Sequence, residues 1–152
     1  MSLTMSLDER QMFLADLHVG VISIEAADRA PLTVPIWYDY EPGGELWVVT
    51  ERGSRKGKLL ERAGRFTLCV QTEAPPYRYV SVSGSVVAVE PSDVEKHTRP
   101  MAHRYLGPEF GDRYIEATRN DGEPSDSVVV RMHPEKWLSV DYGKQFSVES
   151  TD

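Results

Sequence analysis

The sequence predicts a mainly β fold, an antiparallel barrel of six or seven strands with helices at its flanks. Three observations carry this expectation. Short segments alternate apolar and polar residues with the period of two that a half-buried strand requires. Their connections are mostly tight turns, and only two are long enough to be helical, which favours sequential antiparallel pairing. The longest alternating segment, Tyr77 to Val89, slips its period near Gly84, as a bulge or a barrel corner does.

The elements follow in order. Residues 1–5 precede and include a second possible start, Met5, and read as a leader outside the fold, expected to be disordered. Ser6-Leu7-Asp8-Glu9 has capping-box spacing and opens a helix to about Leu17, with Met12, Phe13 and Leu17 on its inner face. His18 to Glu25 and Pro31 to Tyr40 read as strands, the second with Leu32, Val34, Ile36 and Tyr38 on one face. Pro35 within it marks an edge, a bulge or a place where a ligand meets the backbone. Pro42-Gly43-Gly44 turns the chain into the strand Leu46 to Thr50, completing a hairpin. A basic helix follows, then a strand from Arg65 to Thr72 and a loop at Ala74-Pro75-Pro76. Ser92-Asp93-Val94-Glu95 is a second capping box, opening a helix to about Leu106 that Gly107-Pro108 interrupts before Phe110 to Thr118. After a polar loop at Asn120 to Ser125, Ser127 to Met132 and Lys136 to Val140 read as a hairpin across His133-Pro134. The expected domain is 6–142, with a flexible polar tail at 143–152.

With 152 residues, 40% hydrophobic and 27% charged, the chain suits one globular domain. Its net charge of -7 makes it a poor ligand for nucleic acid, which needs a spare positive surface. One cysteine, Cys69, excludes an internal disulfide and reads as a buried structural thiol. His18, His97, His103 and His133 do not cluster, so no metal site is expected. There is no nucleophile elbow, no glycine-rich dinucleotide fingerprint and no obvious carboxylate pair. No apolar run approaches membrane-spanning length and no secretory leader opens the chain, so the expected compartment is the cytoplasm, without membrane or nucleic-acid partners.

Against this acidic background, Leu46 to Arg65 stands out. An apolar strand ends at Thr50, a Gly-containing turn spans Glu51 to Ser54, and a short helix carries Arg55, Lys56, Lys58 and Arg62. A strand end, a turn and a helix start gather free backbone N–H groups. Two hydroxyls (Thr50, Ser54) and two cations (Arg55, Lys56) converge there, which suits one small anion such as a phosphate. The same residues also fit a solvated basic helix closing a strand–helix connection. A P-loop does not fit, because Gly53 and Gly57 are too close together and Leu59 replaces the required hydroxyl. Trp37, Tyr77, Tyr79 and Trp137 are candidates to line a flat apolar pocket, or are ordinary barrel core. A phosphate cradle beside a flat pocket, without acid–base or metal machinery, points to chemistry carried by a bound cofactor.

These residues carry a resemblance. Val34-Pro35-Ile36-Trp37, then Thr50-x-x-x-Ser54-x-Lys56 running on to Leu60, then Leu68-Cys69-Val70-Gln71 and finally Tyr79 to Gly84 are similar to the pyridoxamine 5'-phosphate oxidase-like, FMN-binding split-barrel superfamily. The likeness covers about residues 8–140 and is closer to the F420-dependent flavin/deazaflavin oxidoreductases of group B than to the oxidase itself. It implies a split β-barrel acting as a homodimer with cofactors at the interface. It implies that Thr50, Ser54, Arg55 and Lys56 hold the cofactor phosphate, with Val49, Lys58 and Leu60 as further cofactor-binding candidates beside them. It implies that Pro35, Ile36 and Trp37 line the ring, that Gln71 makes a polar contact to it, that Val34 and Tyr79 are further cofactor-binding candidates, and that Trp137 approaches the partner's cofactor. Hydride would pass directly between ring and substrate, with no dedicated catalytic side chain. The C-terminal stretch, Lys144-Gln145-Phe146-Ser147-Val148-Glu149 and the three residues after it, carries no Arg-containing, Pro-ending signature of the vitamin B6 oxidase, so that substrate is not expected.

FMN has one terminal phosphate, whereas F420 adds a phosphodiester and a polyglutamate tail that suit a longer run of cations such as Arg52, Lys58, Arg62 and Arg78. The expectation is an F420-dependent reductase of an unsaturated small molecule (an enone, a quinone or a tetrapyrrole). The alternatives are an FMN-dependent oxidoreductase, a flavin or deazaflavin carrier, and a haem-binding relative.

Overall fold

The computed structural model describes residues 2–119 and 125–147. In chain order the elements are α1 (Leu7–Ala15), β1 (Gly20–Ile24), β2 (Leu32–Ile36), β3 (Asp39–Tyr40), β4 (Leu46–Glu51), α2 (Arg55–Ala63), β5 (Arg65–Gln71), β6 (Arg78–Pro91), α3 (Arg99–Thr118), β7 (Ser127–Asp141) and α4 (Gly143–Ser147), with a π-helical turn at Val94–Thr98 leading into α3. The seven strands form one antiparallel sheet in the order β2-β1-β5-β6-β7-β4-β3. Its two edge strands, β2 and β3, are separated in sequence only by Trp37 and Tyr38. Two residues of extended chain span about 7 Å, so the sheet must curl until its ends nearly meet. The result is a barrel left open along that seam.

Inside the curl, alternate residues of every strand build the core: Ile22 and Ile24 from β1, Leu46 and Val48 from β4, Leu68 and Val70 from β5, Val80 and Val82 from β6, and Met132 from β7. The helix α1 starts as its sequence requires. Ser6 Oγ accepts the Glu9 N–H at 3.2 Å, and Glu9 Oε1 accepts the Ser6 N–H at 2.9 Å. Its inner face differs from the expected one: Phe13 and Leu14 are buried, while Met12 and Leu17 are exposed. The helix ends at Ala15, so Leu17 falls beyond it.

Three expectations are corrected by contacts between distant segments. The leader is not loose, because Met5 is buried in the core, its N–H donates to Ser139 Oγ at 3.2 Å, and Leu3 O accepts the Asp141 N–H at 2.8 Å. These residues run along the second half of β7, which β4 leaves uncovered. Met5→Ala is therefore expected to cost about 2–3 kcal/mol, read as a lowered midpoint in chemical denaturation; a disordered leader would leave the midpoint unchanged. The hairpin expected across His133-Pro134 is one continuous strand, since β6 pairs with β7 along its whole length and absorbs the irregularity in register shifts at Ser83/Gly84 and Val86/Ala88. The second helix cap falls on Asp93 instead of Ser92: Asp93 Oδ1 accepts the Lys96 N–H at 2.9 Å, while the Ser92 N–H is tied to Ser127 O.

The start of the expected polar tail is helical, as α4, and Lys144 Nζ donates to Glu9 Oε1 at 2.8 Å. The tail beyond 147 and the loop at 120–124 lie outside the described residues. The Lys144 ammonium, reinforced by Ser6, holds the Glu9 carboxyl down at about 2 from its ordinary 4.5. A carboxyl held below its unfolded value stabilises the fold above pH 4.5 and loses that contribution as pH falls through about 2. An NMR titration of Glu9 should show its midpoint near 2, and a midpoint near 4.5 would mean that the tie to α4 is not made. Among the described residues, no helix is long and apolar enough to cross a membrane.

Candidate functional site

The turn after β4 shapes one end of the site. Ser54 is the N-cap of α2: its Oγ accepts the Gly57 N–H at 3.1 Å and donates to Glu51 O at 2.6 Å. Thr50 Oγ1 lies 3.3 Å from Ser54 Oγ and is almost wholly buried. The turn is braced by the residue just before β7: Asp126 Oδ2 accepts the Gly53 N–H at 2.9 Å and Asp126 O accepts the Arg52 N–H at 3.0 Å. The Ser54 hydroxyl hydrogen is thus committed to the fold. The donors left for an anion are the backbone N–H groups of Arg55 and Lys56 in the first turn of α2, and the two cationic side chains themselves.

Lys56 opens into a groove of about 340 Å³ that Pro35, Ile36 and Trp37 line from β2 and its continuation, Val49 from β4 and Val19 from ahead of β1. Pro35 lies on the edge strand, as its missing N–H demands. The opposite wall comes from α3 and the turn before it, through Thr98, Met101 and Tyr114. A second cleft, of about 580 Å³, shares Val49, Thr98 and Tyr114 and continues past Thr50 along α3.

That wall is firmly seated. The Tyr105 hydroxyl donates to His18 O at 2.6 Å, with Tyr38 O also within reach at 3.1 Å, and accepts the Tyr38 N–H at 3.1 Å. Arg104 donates to Ala15 O and Asp16 O, each at 3.1 Å. Trp37 stacks on Tyr105 with ring centroids 4.9 Å apart and planes 5° from parallel. Beyond this anchored half the helix breaks at Gly107, whose φ of 81° is open to glycine at little cost, and Pro108 starts the second half. Asp112 Oδ1 accepts hydrogen bonds from Arg99 and His103, each at 2.7 Å, tying the second half back onto the first.

Of the residues singled out from sequence, Pro35, Ile36, Trp37, Val49 and Lys56 come together around the groove, with Thr50 in the adjoining cleft. Leu60 does not. It is 2% exposed within the core, one helical turn beyond Lys56, so it cannot contact a ligand there. Val34 is likewise turned toward the core. Gln71 and Tyr79 pair with each other on β5 and β6 and do not line the groove. Trp137 packs edge-on to Tyr40 at 6.4 Å, under the Arg10 guanidinium. The aromatic company of Trp37 is Tyr105 and Tyr114, neither of which the sequence singled out; no local motif marks them. Cys69 is half-buried and burial pushes its thiol pKa up, as a structural cysteine requires. Among the described residues no group of His, Cys, Asp or Glu is placed to hold a metal ion.

No curated protein matches the chain. Among solved structures it is similar to an F420 reductase, with a TM-score of 0.69 at 20% identity over 84% of this chain and 94% of that one. It is similar to a conserved hypothetical protein of Mycobacterium tuberculosis, with a TM-score of 0.75 at 22% identity over 95% and 90% of the two chains. It is also similar to HutZ, the heme storage protein of Vibrio cholerae, with a TM-score of 0.59 at 14% identity over 93% and 96%. At these identities the likeness establishes the split-barrel fold alone. The sequence model described as pyridoxamine 5'-phosphate oxidase matches residues 6–141, and the chain belongs to that family.

Proposed function

We propose that the protein binds a phosphorylated flavin or deazaflavin, with F420 favoured, and reduces an unsaturated small molecule. The observation that carries this reading is the run of cations beside a flat apolar groove. Arg52, Arg55, Lys56, Lys58 and Arg62 have no ion-pair partner among the described residues, in a chain where 24 acidic residues outnumber 17 basic ones. Leaving such a run unpaired in an acidic protein suits an external polyanion.

Arg55 and Lys56, with the first N–H groups of α2, would hold the phosphate. Pro35, Ile36, Val49 and Trp37 would receive the ring and exclude water from it. The bound cofactor, when reduced, supplies hydride to the acceptor. The preference for F420 rests on helical spacing: Arg55, Lys58 and Arg62 stand at i, i+3 and i+7 on one exposed face of α2, a stripe longer than a single phosphate needs. FMN is the second reading, because Lys56 is the one cation of this run that lines the groove itself. Absorbance of the purified protein, followed by titration with FMN and with F420, tests both; binding of neither at micromolar concentration overturns the proposal. Turnover of enone and quinone acceptors then separates a reductase from a carrier.

The reading includes a homodimer. Val21, Cys69, Ser81 and Leu138 are register partners across β1, β5, β6 and β7, with Val21 38% and Leu138 61% exposed on the outer sheet face. Trp137, next to Leu138, packs on Tyr40 with the barrel side. Leu138→Glu is expected to shift the protein to monomer in analytical ultracentrifugation, because a charge would be buried unpaired. An unchanged mass places the interface elsewhere.

A further inference from the structure

We propose that Tyr114 selects the acceptor, its phenol donating a hydrogen bond to a carbonyl oxygen of a small, planar, uncharged molecule such as a quinone or an enone. The inference names the substrate class of the site described above and rests on that reading for the identity of the reaction.

The aromatic hydroxyls near Trp37 divide clearly. The Tyr38 hydroxyl donates to Leu14 O at 2.6 Å, and the Tyr105 hydroxyl is committed to His18 O and Tyr38 O. The Tyr114 hydroxyl has no hydrogen-bond partner among the described residues, and Tyr114 is 43% exposed. Its ring leans over Trp37 at 5.4 Å with planes 51° apart, and it lines both the groove and the adjoining cleft. It therefore stands at the junction between the space proposed for the ring and the space left for a second molecule. Thr98, the neighbouring hydroxyl, is turned back toward Val94 O at 3.4 Å. Trp37 carries a further donor without a hydrogen-bond partner among the described residues, its indole N–H, on the wall assigned to the cofactor.

Charge decides the class of acceptor. Lys56, at the phosphate end, is the one charged residue lining the groove among the described residues. The cleft is lined by two cations and two carboxylates: Arg99 is neutralised by Glu95 at 3.2 Å and Asp112 at 2.7 Å, Arg119 is paired with Glu116 at 3.8 Å, and Glu51 and Glu95 add negative charge. An acceptor with carboxylates, as on a tetrapyrrole, would find no spare cation from Arg99 on this wall, whereas a neutral carbonyl finds a free donor. The Asp112 latch and the anchored first half of α3 hold Tyr114 in place before any ligand arrives, which limits the ordering cost of binding.

The test compares menadione with 2-methylnaphthalene, which has the same ring skeleton and methyl group without the carbonyls. Calorimetric titration uses the full chain, both cofactor-free and loaded with oxidised cofactor. The wild type should favour menadione by about fivefold to tenfold, the worth of one added hydrogen bond. In Tyr114→Phe that ratio should fall to about twofold or less. Equal affinities in the wild type, or the same ratio in both proteins, would overturn the proposal. Far-UV circular dichroism confirms that the variant is folded. FMN and F420 titrations of the same two proteins should agree. Loss of cofactor binding in the wild type would defeat the cofactor reading, while the carbonyl preference of the cofactor-free chain would still be read on its own.

Discussion

Replacing Arg55 and Lys56 together with alanine should weaken cofactor binding about a hundredfold, measured by fluorescence titration with whichever of FMN and F420 the wild type binds. Each hydrogen bond to a charged group contributes roughly 1.5–3 kcal/mol, and exposure of Arg55 places this pair near the lower end. The loss stays finite because alanine retains the backbone N–H groups at the start of α2, and Ser54 still caps the helix through Gly57. The fold should be unaffected, since neither side chain is buried in the core. Unchanged affinity would show that the phosphate sits elsewhere. A second pair sharpens the result. Lys58→Ala with Arg62→Ala should weaken F420 several-fold and leave FMN alone, because only the longer ligand reaches along α2. Equal effects on both would remove the argument for the deazaflavin.

Gly84→Ala should be the most destabilising single change in the barrel. A Cβ at this position would collide with the carbonyl oxygen of His133 and approach its carbonyl carbon to 2.8 Å and Met132 Sδ to 2.9 Å. The obstruction is backbone, so no side-chain rotation relieves it. Gly84 also lies where β6 shifts register against β7, facing Pro134, which has no N–H to offer the ladder. The neighbouring Ser85 N–H is satisfied from the side, by Glu135 Oε1 at 2.7 Å. Separating the strands enough to admit a methyl group would disturb the longest pairing in the sheet. The expected cost is about 4 kcal/mol, or a fall in Tm of roughly 10 °C for a domain of this size. A Tm within about 2 °C of the wild type would mean that the strands part here more easily than their packing suggests.

Both predictions concern residues that were visible in the sequence, and for the same reason. Gly84 interrupts an alternating run, and a broken period is a local signal that needs no knowledge of the partner strand. Arg55 and Lys56 follow a strand, a turn and a capping serine, so that their place at a helix start can be read from neighbours a few residues away. Ser6 and Glu9, and Pro35 on its edge strand, were legible in the same way.

Other parts were not legible. Met5 fills the core through its bond to Ser139, 134 residues away in sequence, and nothing around Met5 announces that partner. The two halves of β7 read as a hairpin because His133-Pro134 is a turn signal. Pairing with β6 on both sides of it keeps the strand continuous. Leu60 follows the cations in sequence, yet the helix turns it into the barrel.

The sequence by itself determined most of the strands, the starts of α1 and α2 and the cationic turn, because each follows from the conformational preferences and periodicity of adjacent residues. Only the tertiary structure decided the far wall of the groove. Tyr105 reaches Tyr38 across 67 positions in sequence, and Gly107 then lets α3 break so that Tyr114 leans over Trp37. A hydroxyl becomes available to a ligand only when the fold leaves it without a partner, and that is a property of the packed chain.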